Sequence, residues 1–111
     1  MAAWFASEPV PPSALTDVVD HIDHIREIAG VDALGVGSDF DGVEAVPEGL
    51  EDVSRYPALF EELRDRGYSD EDLGKVAGRN VLRVLREAER VGERLRSERP
   101  PSTATIEQLD G

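Results

Sequence analysis

Two stretches of this chain hold side chains whose types and spacing could do chemistry. The first is DHIDHI, residues 20–25, where His21 and His24 stand beside Asp20 and Asp23. Residues three apart on a helix share roughly one face, so two imidazoles could be offered to a metal ion. Helical zinc sites more often use an i, i+4 pair with a further ligand from elsewhere. The apolar positions of the segment are Val18, Ile22, Ile25 and Ala29, which puts both histidines on the flanks of the buried face. Hydrogen bonding to a loop or a carboxylate outweighs ligation, and no metal ligand is assigned to this chain.

The second stretch is GVGSDFDG, residues 35–42. An apolar run ends in Asp39 and Asp41 around Phe40, and Gly42 closes it. A calcium loop starting at Asp39 would need a glycine at its sixth position. Here the fifth is Val43 and the sixth Glu44, so that pattern fails. Asp39 falls where a strand would empty into a loop, and in α/β barrels and open α/β sheets catalytic groups gather at that end. An acid there can shuttle protons for a bound water or hold a substrate ammonium. Strand alternation would turn Phe40 the opposite way, and Asp41 could turn back to brace the loop. Against this, Asp and Gly are ordinary turn residues, and both acids could simply cap the turn. The residues alone leave both readings open. Glu61, Glu62, Asp70 and Glu71 fall on helix faces or helix starts and read as solvated charge.

The elements that must position these residues follow from periodicity and punctuation. MAAWFA, residues 1–6, is compatible with a short strand containing Trp4, and the prolines of SEPVPPS mark a loop. Thr16 is expected to cap a helix that carries Val18, Ile22, Ile25 and Ala29 and stops at Gly30. Ala33, Leu34 and Val36 predict a short buried strand over 33–38. Residues 42–56 read as a long irregular connection. Pro57 suits the first position of a helix carrying Leu59, Phe60 and Leu63, which Gly67 ends. Ser69 is expected to cap a short helix with Leu73 and Val76 inward. Asn80 is expected to cap the last one, striped by Val81, Val84, Leu85, Ala88, Val91 and Leu95. Residues 97–111 predict a disordered polar tail.

The 111 residues suffice for one small domain, with a core built mainly from Val, Leu, Ile and Ala. With no cysteine there is no disulfide, thiolate site or cysteine nucleophile. The formal net charge of −12, from 24 acids against 12 bases, disfavours nucleic-acid and membrane-surface partners. Lys75 is the single lysine; the acidic, arginine-rich balance fits a salt-rich cytoplasm and a GC-rich genome equally well. No stretch has the length of a membrane span or the pattern of an export signal, so a soluble cytoplasmic protein is expected. One feature resists a self-contained domain. A buried strand over 33–38 needs neighbours, and each unpaired buried backbone group costs on the order of 1–3 kcal/mol. Either copies of the chain complete a sheet, or the chain is part of something larger.

The run DHIDHIREIAGVDALGVGSDFDGV, followed by VPEGLEDVSRYPALFEELRDRGYSDEDL and GRNVLRVL, closely resembles the renal (membrane) dipeptidase family. The likeness covers residues 16–87, with GSDFDG, GLEDVSRYP and the GRN helix start in order at the family's spacing. It implies an α/β fold: the C-terminal fragment of a (β/α)8 TIM-type barrel, mostly helical with one or two short strands. Residues 1–96 would hold the last strand and closing helices. In the family a hydroxide bridging two zinc ions attacks the carbonyl of a dipeptide. Asp39 matches the residue that touches the bridging water and the substrate amine, so it is the expected catalytic and substrate-binding residue.

The same resemblance places the family's zinc ligands, and its substrate-binding arginine, before the region represented here. A barrel needs roughly 250 residues, so this chain is expected to bind no zinc and to be inactive by itself. A dipeptide substrate, and hydrolase activity, would require a completed barrel through an N-terminal partner chain or homo-oligomerisation. The alternative is a non-catalytic acidic helical module that binds a partner protein.

Overall fold

The structure, a computed structural model, describes residues 11–110. The chain divides after Asn80 into two compact units. In the first, helix α1 (Leu15–Ala29) buries Val19 and Ile22, with Leu15, Val18 and Ile25 packed beside them. It begins one residue before the expected Thr16 cap, because the chain ahead of it is already fixed. Ala14 and Glu48 form a parallel bridge, with Leu15 N–H donating to Glu48 O at 2.8 Å and Glu48 N–H to Ser13 O at 2.8 Å. Asp17 then lies in the first turn and its carboxylate accepts from Ala14 N–H at 2.8 Å, satisfying a donor the helix leaves open. Gly30 ends the helix at φ +87°, a left-handed value that a side chain would strain.

The expected strand over 33–38 does not form. Val31–Ala33 is a 3-10 turn, Leu34 is extended, and the Ala14–Glu48 bridge is the only β pairing among the described residues. A lone extended segment has no neighbouring ladder, so its carbonyls must find other donors. The candidate strand at residues 1–6 lies outside the described residues.

Residues 43–55 are irregular, as composition suggests, apart from a 3-10 turn at Val53–Arg55 that Asp52 caps through Ser54 N–H at 2.8 Å. Helix α2 (Tyr56–Asp65) carries Pro57 at its second rather than its first position, and fully buries Leu59 and Leu63. Gly67, at φ +94°, reverses the chain, and Tyr68 N–H returns to Leu63 O at 3.1 Å. Ser69 caps α3 (Asp70–Gly74) by accepting from Asp72 N–H at 3.1 Å. A wider π turn over Lys75–Arg79 leads into α4 (Asn80–Glu98). Leu73 and Val76 join Leu34, Leu50, Leu59 and Leu63 in the core.

Asn80 does not cap α4. Its backbone is helical at φ −64° and ψ −46°, because the helical path breaks two residues earlier, at Gly78 (φ 179°, ψ −22°), and Asn80 already lies inside the helix that follows. Its side chain is spent elsewhere, as described below.

The second unit comprises the rest of α4 and a polar segment carrying the short helix α5 (Ile106–Asp110). Thr105 and Gln108 close a reciprocal pair at its start: Gln108 N–H donates to Thr105 Oγ1, and Thr105 N–H to Gln108 Oε1. No helix among the described residues is long and apolar enough to cross a membrane.

Candidate functional site

The segment that carries Asp39 is held at its root by Asn80. This side chain is 4% exposed, and its Nδ2 donates to Val31 O and to Leu34 O, both at 2.8 Å. The amide takes up the Leu34 carbonyl, which a neighbouring strand would otherwise satisfy, and gives Val31 O a second donor beside Leu34 N–H. Lys75 adds an ion pair to Asp32 at 2.9 Å, so the two ends of the Lys75–Asn80 stretch each grip the Val31–Ala33 turn. That hydrogen-bonded pairing raises the Lys75 pKa.

Beyond the root, alternation sets what points where. Leu34 is buried and Val36 packs against the core, with Gly35 between them and Gly37 after. Phe40 packs inward, its ring 5.8 Å from that of Tyr56, which is in turn 6.5 Å from Phe60. Asp39 and Asp41 are exposed on either side of it. Asp39 adopts φ +52° and ψ +39°, the only positive φ outside glycine among the described residues. Asp tolerates this region better than most residues. Gly42 N–H closes the turn onto Asp39 O at 2.8 Å. The carboxylate of Asp39 lies over Gly42, where a Cβ would sit 2.5 Å from Oδ1 and 2.6 Å from Oδ2. The glycine of the motif therefore leaves room for the carboxylate.

His21 and His24 are both exposed on α1. The acids between them face another group. Arg66 Nη1 donates to Asp20 Oδ1 and Asp23 Oδ2 at 2.7 Å each, and its Nε donates to Glu62 Oε1 at 3.2 Å. Tyr68 Oη–H donates to Asp23 Oδ1 at 2.8 Å, and the Arg26 guanidinium stacks 4.2 Å from the Tyr68 ring centre. This cluster ties α1 to α2 and the turn after it. Partial burial acts to raise the Asp23 pKa, but the hydrogen bonds from Arg66 and Tyr68 together hold it below the usual carboxylate range. Burial first, and then the bond to Asp23, push the Tyr68 phenol up to about 12.

Reading Glu62 as merely solvated is corrected here: it is 33% exposed and pairs with Arg66, whereas Asp70 stays 88% exposed at its helix start beside Arg64. The signal was the match between DHID on one helix and RDR before Gly67. Nothing in the sequence showed that these two stretches would meet.

Among the described residues no three His, Asp or Glu side chains gather where an ion could sit. Asp20 and Asp23 are committed to Arg66, and Asp39 lies on a different segment from both histidines. The described residues do not fit a metal centre.

Comparison with known proteins assigns the class. The family model for membrane dipeptidases (peptidase family M19) matches residues 6–99, and the chain belongs to that family, a metallodipeptidase family. It is 52% identical over 83 residues to Dipeptidase aclJ of Aspergillus oryzae, covering 75% of this chain and 20% of that protein. It is 46% identical over 86 residues to human Dipeptidase 3, covering 78% of this chain and 18% of that protein. With Dipeptidase tcpJ of Claviceps purpurea the identity is 40% over 106 residues, 96% of this chain and 25% of that protein. The chain thus spans a fifth to a quarter of the length of these curated relatives.

Proposed function

We propose that this chain supplies the acid–base carboxylate, Asp39, to a dipeptide-hydrolysing site completed by residues outside it, and that alone it is inactive. One observation supports this most directly. Asp39 is held in a left-handed conformation with its carboxylate laid over a glycine, on a segment clamped by a buried asparagine. Uncommon backbone conformations that surrounding structure maintains cluster at functional sites.

In this reading Asp39 takes a proton from the attacking water as its oxygen bonds to the peptide carbonyl carbon. It returns that proton to the amine nitrogen as the C–N bond breaks, so one water is consumed and the carboxylate is regenerated. Before the reaction the same carboxylate can hold the substrate's ammonium group. The two zinc ions that the family resemblance implies would polarise the carbonyl when bound, and in this reading their ligands lie outside this chain.

The test is hydrolysis of a simple dipeptide by the 111-residue chain, with zinc and then with chelator, alone and combined with the remainder of a relative. No turnover alone and turnover in the combination is the expected result. Asp39→Asn should then lower kcat by roughly 10²–10⁴-fold. Chelator-sensitive turnover by the chain alone would refute the reading. A combined enzyme indifferent to Asp39→Asn would remove Asp39 from the chemistry.

A further inference from the structure

The apolar stripe of α4 is the largest feature that the candidate site does not use. Val81, Val84 and Leu85 are 58%, 60% and 53% exposed, and Ala88 is exposed too. Val91 and Leu95 continue the same line, half-buried. At 100° per residue these positions, with Gly92, fall within an arc of about 120°. The other side is Arg83, Arg86, Glu87, Arg90, Glu93 and Arg94. A helix of this composition left in water exposes apolar area that burial would stabilise by about 25 cal/mol for each Å².

The width of the stripe says what kind of surface covers it. A two-helix seam uses only the a and d positions of a heptad, here Val81, Val84, Ala88, Val91 and Leu95. This stripe adds Leu85 and Gly92, the pattern of a helix lying on the core of a globular domain. Gly92 has no side chain on that face; the Arg96 guanidinium lies over it, Nη1 3.2 Å from where a Cβ would sit, and a flexible side chain of this kind can swing aside for a neighbouring element. The family match runs to residue 99 and so includes the whole stripe, whereas the chain holds only a fifth to a quarter of its relatives' length. The missing occupant is therefore part of the same kind of domain.

We propose that the α4 face of Val81, Val84, Leu85, Ala88, Val91 and Leu95 is the docking surface for the remaining portion of a dipeptidase domain. This rests on the reading of the chain as one part of a dipeptidase, and it specifies the surface through which the other part is held. The occupant presents a broad apolar patch, with polar groups where Glu87 and Arg94 flank the stripe.

The experiment uses the full 111-residue chain and the Aspergillus oryzae relative from which the matching 83 residues have been removed. The two are co-expressed, and association is read by co-purification and by titration of the separated pieces. Val84→Asp and Leu85→Asp should each weaken association at least tenfold. Arg90→Asp, on the opposite side of α4, puts the same residue type in the same helix and should change it by less than twofold. Circular dichroism of the three variants separates lost docking from lost helix.

Equal weakening by all three substitutions, or none by any, would overturn the docking face. A chain that sizes as a dimer, and becomes a monomer on Val84→Asp without binding the deleted relative, would give the stripe to a second copy and likewise overturn it. Association without dipeptide hydrolysis would uphold the docking face and sink the catalytic reading of Asp39. The two proposals therefore fail separately.

Discussion

Asn80 offers the sharpest test of how the candidate site is built. Replacing it with alanine removes two 2.8 Å hydrogen bonds, one to a buried carbonyl at Leu34 and one to a partly buried carbonyl at Val31. Each such bond is worth about 0.5–1.5 kcal/mol net, and a buried carbonyl left without a donor costs about 1–3 kcal/mol. Asn80→Ala should therefore destabilise the chain by about 2–4 kcal/mol, a large fraction of the 5–15 kcal/mol typical of a domain. Asn80→Asp keeps the shape but turns an oxygen toward two carbonyl oxygens. At pH 7 it should cost more than Asn80→Ala, because a charge is now buried against acceptors.

That ordering depends on pH with a definite sign. Burial and the facing carbonyls raise the introduced carboxyl's folded pKa above its unfolded value. Its proton is therefore held more tightly in the folded chain, and the variant gains stability as pH falls through that raised value. Urea unfolding followed by far-UV circular dichroism at pH 7 and pH 4.5 reads all three chains, with each variant compared to wild type at the same pH. The expected order at pH 7 is wild type, then Asn80→Ala, then Asn80→Asp, with the last two converging at pH 4.5. Amide exchange over residues 34–39 should accelerate in both variants. If Asn80→Ala falls within about 0.5 kcal/mol of wild type, the range of an inconsequential surface change, the clamp does not hold the segment and the account of Asp39 loses its foundation.

Two further substitutions probe neighbouring parts of the argument. Arg66→Ala removes the ion pairs to Asp20, Asp23 and Glu62, whose side chains are 65%, 39% and 33% exposed. Solvent screening therefore keeps the loss modest and makes it shrink as salt is added. Because the folded Asp23 pKa lies below its ordinary 3.8, its contribution is present above that value and fades as pH falls through the folded one. Arg66→Ala should thus flatten the acid limb of stability against pH, and parallel acid limbs would refute the pairing. Gly42→Ala would put a methyl 2.5–2.7 Å from the Asp39 carboxylate atoms in a turn whose glycine has no positive φ. The carboxylate should be pushed aside, lowering dipeptide hydrolysis in the combined enzyme by at least about tenfold while urea stability of the chain moves by less than about 0.5 kcal/mol. Unchanged hydrolysis would show that the close approach of Asp39 to Gly42 has no bearing on the chemistry.

The helices were legible because their signals are local. The spacing of Val18, Ile22 and Ile25, the stop at Gly30, the Ser69 cap and the left-handed Gly67 each act within a turn or two of chain. The errors came where a distant residue decides. Thr16 has the chemistry of a cap, but the bridge from Ala14 to Glu48 puts the cap position at Ala14, two residues earlier. Asn80 looked like a cap until its amide was seen to reach back 46 and 49 residues to Leu34 and Val31. Residues 33–38 have strand composition, but composition cannot supply a neighbouring ladder. The Arg66 cluster was missed for the same reason, since its partners at Asp20 and Asp23 are more than forty residues away. The motif singles out Asp39 in the sequence as a candidate, while what holds its carboxylate in place is visible only in the structure.

The position of Asp39 also bears on how a split site could work. Its conformation depends on the turn closed by Gly42, on Phe40 packed beside Tyr56, and on the root clamped by Asn80 and Lys75. All of these lie within the first unit. No paired sheet is needed to set the backbone of Asp39, so a docking partner need not reorganise this loop when it arrives. It has only to bring its own groups to a carboxylate already presented to solvent. Preorganisation of this kind lowers the ordering cost of assembly, because the loop's entropy is lost when the chain folds rather than when the site forms. Loosening the clamp at Asn80 should then weaken hydrolysis in the combined enzyme even where docking through α4 is unchanged, which separates positioning of the carboxylate from attachment of the chain.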